Sequence, residues 1–372
     1  MGKRLKVGVI FGGRSGEHEV SLVSATSIIR ALDPSRFEVV PIGISKEGHW
    51  YIGEGVMGFL KAGEANGEIH PVVLLPDAKG GILVWEEGKR EEKLDVVFPA
   101  LHGTFGEDGT VQGLLELAGV PYVGCGVLAS SLAMDKVVSK ELFRAASLPI
   151  VKYTWFLKEE WDGKRGSIIE RIEAGLSYPL FVKPANLGSS VGIYKVKTRA
   201  ELIEHVPFSL EYDRKVIVEE GVENVREIEV SVLGNDDPIA SIPGEIVPSN
   251  EFYDYDAKYV DGKSTAVIPA ELPDEVSHAV REIAVSAFRS IDGSGMARVD
   301  FLVKKDTNEI FLNELNTIPG FTSISMYPKL FEATGIPYSE LLSRLIALAI
   351  ERFEKKEGLK TSYEPKEEWF SK

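Results

Sequence analysis

The chain has 372 residues, 44% of them hydrophobic and 27% charged, an ordinary globular composition that excludes disorder throughout. A formal net charge of −15 argues against a nucleic-acid binder with a broad basic face, and a single cysteine, Cys125, excludes a disulfide scaffold. No apolar run approaches the ~18 residues of a membrane span, and the apolar stretch after Lys3, Arg4 and Lys6 is too short for a signal peptide. Two or three domains and a cytoplasmic protein are expected. Glycine is in excess, at 36 residues. It lets backbone approach a ligand closely, so its clusters mark where function is sought.

The first predicted element is a β-rich strand over residues 5–11. The turn Gly12-Gly13-Arg14-Ser15-Gly16 follows, and from His18 a helical period places Leu22, Ala25, Ile29 and Leu32 on one face. Asp33-Pro34 ends that helix. A second strand over 37–44 opens an alternating β/α pattern. Residues 45–93, rich in glycine and charge, read as irregular. A buried strand over 94–100 leads into Leu101-His102-Gly103 and Gly106-Glu107-Asp108-Gly109-Thr110. A helix over 111–118 and a short strand near 121–123 complete a first domain, expected to span residues 1–126.

One helical stretch is predicted over 129–146. The strands that follow are predicted over 154–157, 180–183, 193–196, 216–219, 227–233 and 239–242. Residues 248–262, polar and rich in tyrosine, are long for a connector and read as a lid. A helix over 273–291 precedes two strands, 298–303 and 310–316, joined by a turn. A final helix over 338–353 carries Leu341, Leu345 and Ala349 on one face, and the tail after Glu357 reads as frayed.

The carboxyl-terminal pair of strands carries the sharpest chemical signal. Glu314 and Asn316 are two apart on one strand and share a face, and the turn brings Asp300 roughly opposite them. Such hard oxygen donors suit Mg²⁺ shared with substrate phosphates. Arg298 adds a cation where phosphate would sit. The alternative is the exposed face of an edge hairpin. A second signal, Lys183-Pro184-Ala185-Asn186-Leu187-Gly188-Ser189-Ser190-Val191-Gly192, lies between two strands, where backbone N–H groups can cradle phosphate; the alternative is a plain loop. It is not a P-loop, because that motif is missing from the chain. Glu17, at the start of the first helix, is either a dipole-compensating residue or the holder of an ammonium group. Phe252-Tyr253-Asp254-Tyr255-Asp256-Ala257-Lys258-Tyr259 is either a packed surface loop or a closure over charged substrate. His102 reads locally as a hydrogen-bonded structural histidine, and Cys125 has no partner pattern of a nucleophile.

Taken in order, these pieces resemble the D-alanine–D-alanine ligases of the ATP-grasp superfamily. The match runs from the Gly12-to-Ser21 stretch through Met134-Asp135-Lys136, the Lys183-to-Gly192 loop and Arg298-Val299-Asp300 to Asn313-Glu314-Leu315-Asn316-Thr317-Ile318-Pro319-Gly320-Phe321-Thr322. The resemblance implies a multidomain fold, α/β and then α+β. A Rossmann-like α/β domain precedes a two-part ATP-grasp fold, with a central part over 127–214 and a last part over 215–372. It implies a reaction in which ATP phosphorylates one D-alanine carboxylate and the amine of a second attacks the acyl phosphate. By the resemblance, Asp300, Glu314 and Asn316 hold two Mg²⁺ ions, with Mn²⁺ able to replace them. Lys136, Lys183, Gly188, Ser189, Ser190 and Lys258 meet the ATP phosphates. Glu219, Glu220, Val222 and Glu227 line the adenine and ribose region. Glu17 holds the first ammonium, with His102 beside it, and closes the lid in a triad with Ser189 and Tyr259. Arg298 and the Gly320 N–H stabilise the oxyanion, and Ser325 with the Met326 N–H receives the second carboxylate. A homodimer in the cytoplasm follows from the same resemblance. A D-alanine–D-lactate ligase of the same fold is the near rival, with Tyr259 favouring the dipeptide. A NAD-dependent oxidoreductase fits poorly, because the G-x-G-x-x-G spacing is missing after the first strand. A non-catalytic nucleotide-binding scaffold need not keep the whole charged set.

Overall fold

The structure, a computed structural model, describes residues 3–63, 67–78, 80–86, 88–247 and 265–363. Three sheets follow one another along the chain. In the first, Leu5–Gly12 runs parallel to Phe37–Ile44 on one side and to Val96–Pro99 on the other. The strand is buried on both faces, which is why it reads as a continuous apolar run. Val7, Val9 and Phe11 face a core shared with Leu22, Ala25 and Ile28 of helix His18–Ala31, whereas Ile10 faces Leu115 and Val120. Residues 45–93 are more regular than expected. Trp50–Ile52, His70–Leu74, Ile82–Trp85 and Arg90–Lys93 pair antiparallel and extend the same sheet to seven strands. Strands of three to five residues are too short to display a period.

The second sheet is antiparallel, in the order Tyr194–Val196, Leu180–Pro184, Lys215–Glu220, Tyr153–Leu157. Leu180, Val182, Val216 and Val218 pack against helices Lys158–Gly175 and Arg199–Ser209. Neither helix is legible in the sequence: the first has non-helical geometry at Lys164 and the second carries Pro207. By alternation, Phe181, Lys183, Ile217 and Glu219 share the opposite face.

The third sheet centres on Val225–Gly234 and Gly295–Lys304, antiparallel over ten register pairs, with Ile310–Asn316 at one edge. Helix Asp274–Ser290 covers its apolar face through Val280, Ala284 and Phe288. The predicted helix over 129–146 is two helices, Val127–Met134 and Lys136–Ala145. Asp135 separates them, and its carboxylate accepts from the N–H groups of Val137 and Val138 as an N-cap. The final helix, Tyr338–Glu357, uses its predicted stripe on a distant target. Leu341, Leu345 and Ala349 share the core of the first sheet with Val7 and Phe98. Among the described residues no helix is long and apolar enough to cross a membrane.

Candidate active site

The hairpin Gly295–Lys304 and Ile310–Asn316 is aimed by a β-bulge. Asp300 faces Glu314, but the next pair is Phe301 with Leu312, so Asn313 is the extra residue. The bulge changes the phase of the second strand. Leu312 and Leu315 both enter the core although they are three apart, and Glu314 and Asn316 therefore turn to the other side. The first strand keeps strict alternation, with Ala297, Val299, Phe301 and Val303 in the core. Arg298 and Asp300 thus share the outward face with Glu314 and Asn316. Arg298 clamps Asp300 with two bonds, Nε to Oδ1 at 2.7 Å and Nη2 to Oδ2 at 2.6 Å, and also pairs with Glu229 at 3.1 Å. Burial opposes the charge on Arg298, but the two carboxylates outweigh it and hold the guanidinium well above its ordinary pKa. Asn316 donates from Nδ2 to Asp300 at 3.1 Å, which leaves its amide oxygen as the donor atom for a cation.

The lysines approach from the central sheet and the helix beside it. Lys183 lies 2.6 Å from Glu219 Oε2, and Lys140 lies 3.0 Å from Glu219 Oε1. Burial raises the Glu219 pKa on its own, but the Lys140 and Lys183 charges reverse the shift and take it down to about 2. Lys136 donates to Leu187 O at 2.7 Å and lies 3.8 Å from Glu314 Oε2, so it joins the glycine-serine loop to the hairpin. Glu220 follows on the same strand, and its carboxylate accepts from the Ser177 N–H at 2.8 Å.

Glu17 sits in a cradle of glycines. A Cβ at Gly103, where φ is +71°, would come within 2.6 Å of Glu17 Oε2, and a Cβ at Gly188 within 3.0 Å. The Ser189 hydroxyl donates to the other carboxylate oxygen of Glu17. Ser189 and Ser190 hold this loop with φ of 52° and 59°, a costly conformation for residues with a Cβ. His102 is buried beside it with both ring nitrogens engaged. Nδ1 donates to Ile318 O at 3.1 Å, because a carbonyl only accepts, and Nε2 contacts Ser24 Oγ at 3.0 Å. Burial lowers the His102 pKa, but the Glu107 carboxylate 3.6 Å away, together with Glu17 and the Ile318 carbonyl, more than reverses it. Ser325 precedes helix Met326–Ala333 and accepts from the Thr322 N–H at 3.0 Å. A Cβ at Gly320 would meet Ser325 Oγ at 2.6 Å, so the two residues are fitted together.

Most of these groups line two adjoining cavities, whereas Lys136 and Lys140 line neither. One, of about 470 Å³, is bounded by Lys183, Ser190, Glu219, Val222, Glu227 and Asp300, among others. The other, of about 120 Å³, is bounded by Glu17, His102, Ser189, Asn316, Gly320, Ser325 and Met326, among others. Arg298, Glu229 and Glu314 line both. The donor set fits a hard divalent cation shared with phosphate. Among the described residues no group of three His, Cys, Asp or Glu forms a metal site by itself, and the amide oxygen of Asn316 would be the third donor. Such a sparse set leaves room for phosphate oxygens and water, as Mg²⁺ requires. Lys258 and Tyr259, with the rest of the expected lid, lie outside the described residues.

Lys140, Glu229 and the Asn313 bulge escape a reading of the sequence. Lys140 was detectable in principle, being four residues after Lys136 and so on the same helix face. The bulge leaves no such mark. Cys125 is buried, and burial pushes its thiol up to about 11, in keeping with an unreactive core residue.

Comparison with known proteins agrees with this architecture. The chain matches the family models "D-ala D-ala ligase N-terminus" over residues 6–125 and "D-ala D-ala ligase C-terminus" over residues 142–347. It is 53% identical to the D-alanine–D-alanine ligase of Natranaerobius thermophilus over 363 residues, covering 97% of this chain and 99% of that protein. The corresponding enzyme of Heliobacterium modesticaldum is also 53% identical, covering 97% and 98%. Among solved structures, the D-alanine–D-alanine ligase from Coxiella burnetii superposes with a TM-score of 0.83 at 38% identity, covering 96% of this chain and 97% of that one. The VanG D-Ala:D-Ser ligase from Enterococcus faecalis gives the same score and identity, covering 93% and 100%. The expected multidomain ATP-grasp fold is borne out, and the chain belongs to the D-alanine–D-alanine ligase family.

Proposed function

We propose that the chain joins two D-alanines into D-alanyl-D-alanine, with ATP consumed to ADP, for peptidoglycan precursor synthesis. Family membership carries ATP use and a divalent cation. The observation that supports this reading best is the shared wall of the two cavities. A space suited to a nucleotide meets a space suited to amino acids where Arg298 and Glu314 stand. When bound, ATP and its cations supply a leaving group to a carboxylate that otherwise lacks one, and neutralise charge during transfer.

The finer assignments are our reading. Asp300, Glu314 and Asn316 would hold two Mg²⁺ ions, with Mn²⁺ able to serve. Lys136 and Lys183 would meet phosphate oxygens beside the Gly188-Ser189-Ser190 loop, and Lys258 would join them from the lid. Glu219, Glu220, Val222 and Glu227 would bound the nucleoside. Glu17 would bind the first ammonium, with Ser189 and Tyr259 completing the closure and His102 bracing the cradle. Arg298 and the Gly320 N–H would face the developing oxyanion, a preorganised arrangement that needs no reorientation during reaction. Ser325 and the Met326 N–H, at a helix start, would receive the second carboxylate. The first division is placed near residue 126; the second, expected near 214, falls after Glu220, because strand Lys215–Glu220 pairs within the second sheet. A homodimer working in the cytoplasm completes the proposal.

The test is titration with MgATP and D-alanine, with phosphate release and products followed together. One phosphate per D-Ala-D-Ala is expected. Mixtures of D-alanine with D-lactate or D-serine that yield mainly the ester or the serine dipeptide at neutral pH would overturn the substrate assignment.

A further inference from the structure

The bulge that aims the hairpin is held from outside it. Lys140 is only 1% exposed, and its ammonium donates to Asn313 O at 3.0 Å. The same ammonium lies 3.0 Å from Glu219 Oε1, and Glu219 Oε2 lies 2.6 Å from Lys183. Lys140 lines neither the larger nor the smaller cavity, so it would act only through these neighbours. A neutral donor could satisfy the carbonyl but would leave Glu219 with less compensation in a buried place.

We propose that Lys140 is a positioning residue for the cation site. Its bond to the Asn313 carbonyl stabilises the bulged register, and that register decides where Glu314 and Asn316 point. A slip that removed the bulge would turn Glu314 toward the apolar core now filled by Leu312 and Leu315. Through Glu219, the same ammonium keeps Lys183 facing the hairpin. The inference rests on reading Asp300, Glu314 and Asn316 as cation donors.

The experiment counts free Mn²⁺ by electron paramagnetic resonance while the full chain is titrated in saturating ADP. Lys140→Met removes donor and charge and is expected to weaken Mn²⁺ binding about tenfold or more, the loss of one charge-assisted bond. Lys140→Gln keeps an N–H donor and falls between Met and the wild type. Phe143→Leu, a core change on the same helix, lowers the melting temperature but leaves Mn²⁺ affinity within about twofold. Equal Mn²⁺ affinity in Lys140→Met and the wild type, or a loss no greater than that of Phe143→Leu, overturns the proposal. Should Lys140→Met not fold, Lys140→Gln carries the same comparison against Phe143→Leu. Glu314→Gln separates the two layers. If it binds Mn²⁺ like the wild type, the cation reading has failed and this inference falls with it. If it loses Mn²⁺ while Lys140→Met does not, only the role of Lys140 is lost.

Discussion

Glu17, at the smaller cavity, and Asp300, at the larger one, are carboxylates held in opposite ways. Glu17 is shaped by space: glycines at 103 and 188 leave room for it, and a serine hydroxyl orients it. Asp300 is shaped by charge, with a guanidinium on both its oxygens and an amide behind. A carboxylate cradled by small residues and a hydroxyl suits an incoming ammonium, which then supplies the compensating charge. A carboxylate already bound by arginine has its orientation set in advance, and an incoming cation would share it. In the proposed function the first arrangement would select its ligand by fit. The second keeps acidic groups close together, because internal cations limit their repulsion.

The sharpest way to break this contrast is Glu314→Gln. It is expected to cost roughly 1,000-fold in turnover, as for loss of a preorganised charge in a transition state, with little change in melting temperature. An intact rate would dissolve the charge-shaped half of the comparison. Next is Glu219→Gln, read as stability against pH. The folded pKa is depressed from 4.5 to about 2, so the carboxylate contributes stability above the unfolded value and loses it as pH falls. The wild type should exceed the variant by about 3 kcal/mol at neutral pH, and the gap should close between about pH 4.5 and pH 2. Parallel denaturation curves across that window would show that Lys140 and Lys183 do not stabilise the carboxylate. The smallest effect is on the side shaped by fit. Glu17→Gln and Gly103→Ala should each raise the KM of the tighter D-alanine site about tenfold, near the lower value of one bond to a charged group. An unchanged KM in Gly103→Ala would mean that the carboxylate tolerates displacement and that the cradle selects nothing.

Residues acting within a local segment were legible in advance. Glu314 and Asn316 share a face because they are two apart, and the glycine turns announced themselves by composition. What failed were inferences that needed length or partners. The short strands between residues 50 and 93 offer too few residues for a period to emerge. Helix Lys158–Gly175 is highly charged and broken in geometry, so its apolar residues fall in no clear stripe. The N-cap at Asp135 was present as a residue type, but an acid between two lengths of apolar period does not reveal that it splits a helix.

The apolar strands, the glycine turns and the ordered motifs that carry the family are legible from the residues alone, because each depends on neighbours a few positions away. Tertiary structure alone decided the bulge at Asn313, the burial of Lys140 against it, and the packing of Leu341, Leu345 and Ala349 onto the first sheet. The bulge is set by strand partners 11 to 14 residues apart, and the other two depend on groups 173 residues apart, as for Lys140 and Asn313, or more. A lysine reads as surface until a distant carbonyl and carboxylate are brought to it, and only folding supplies them.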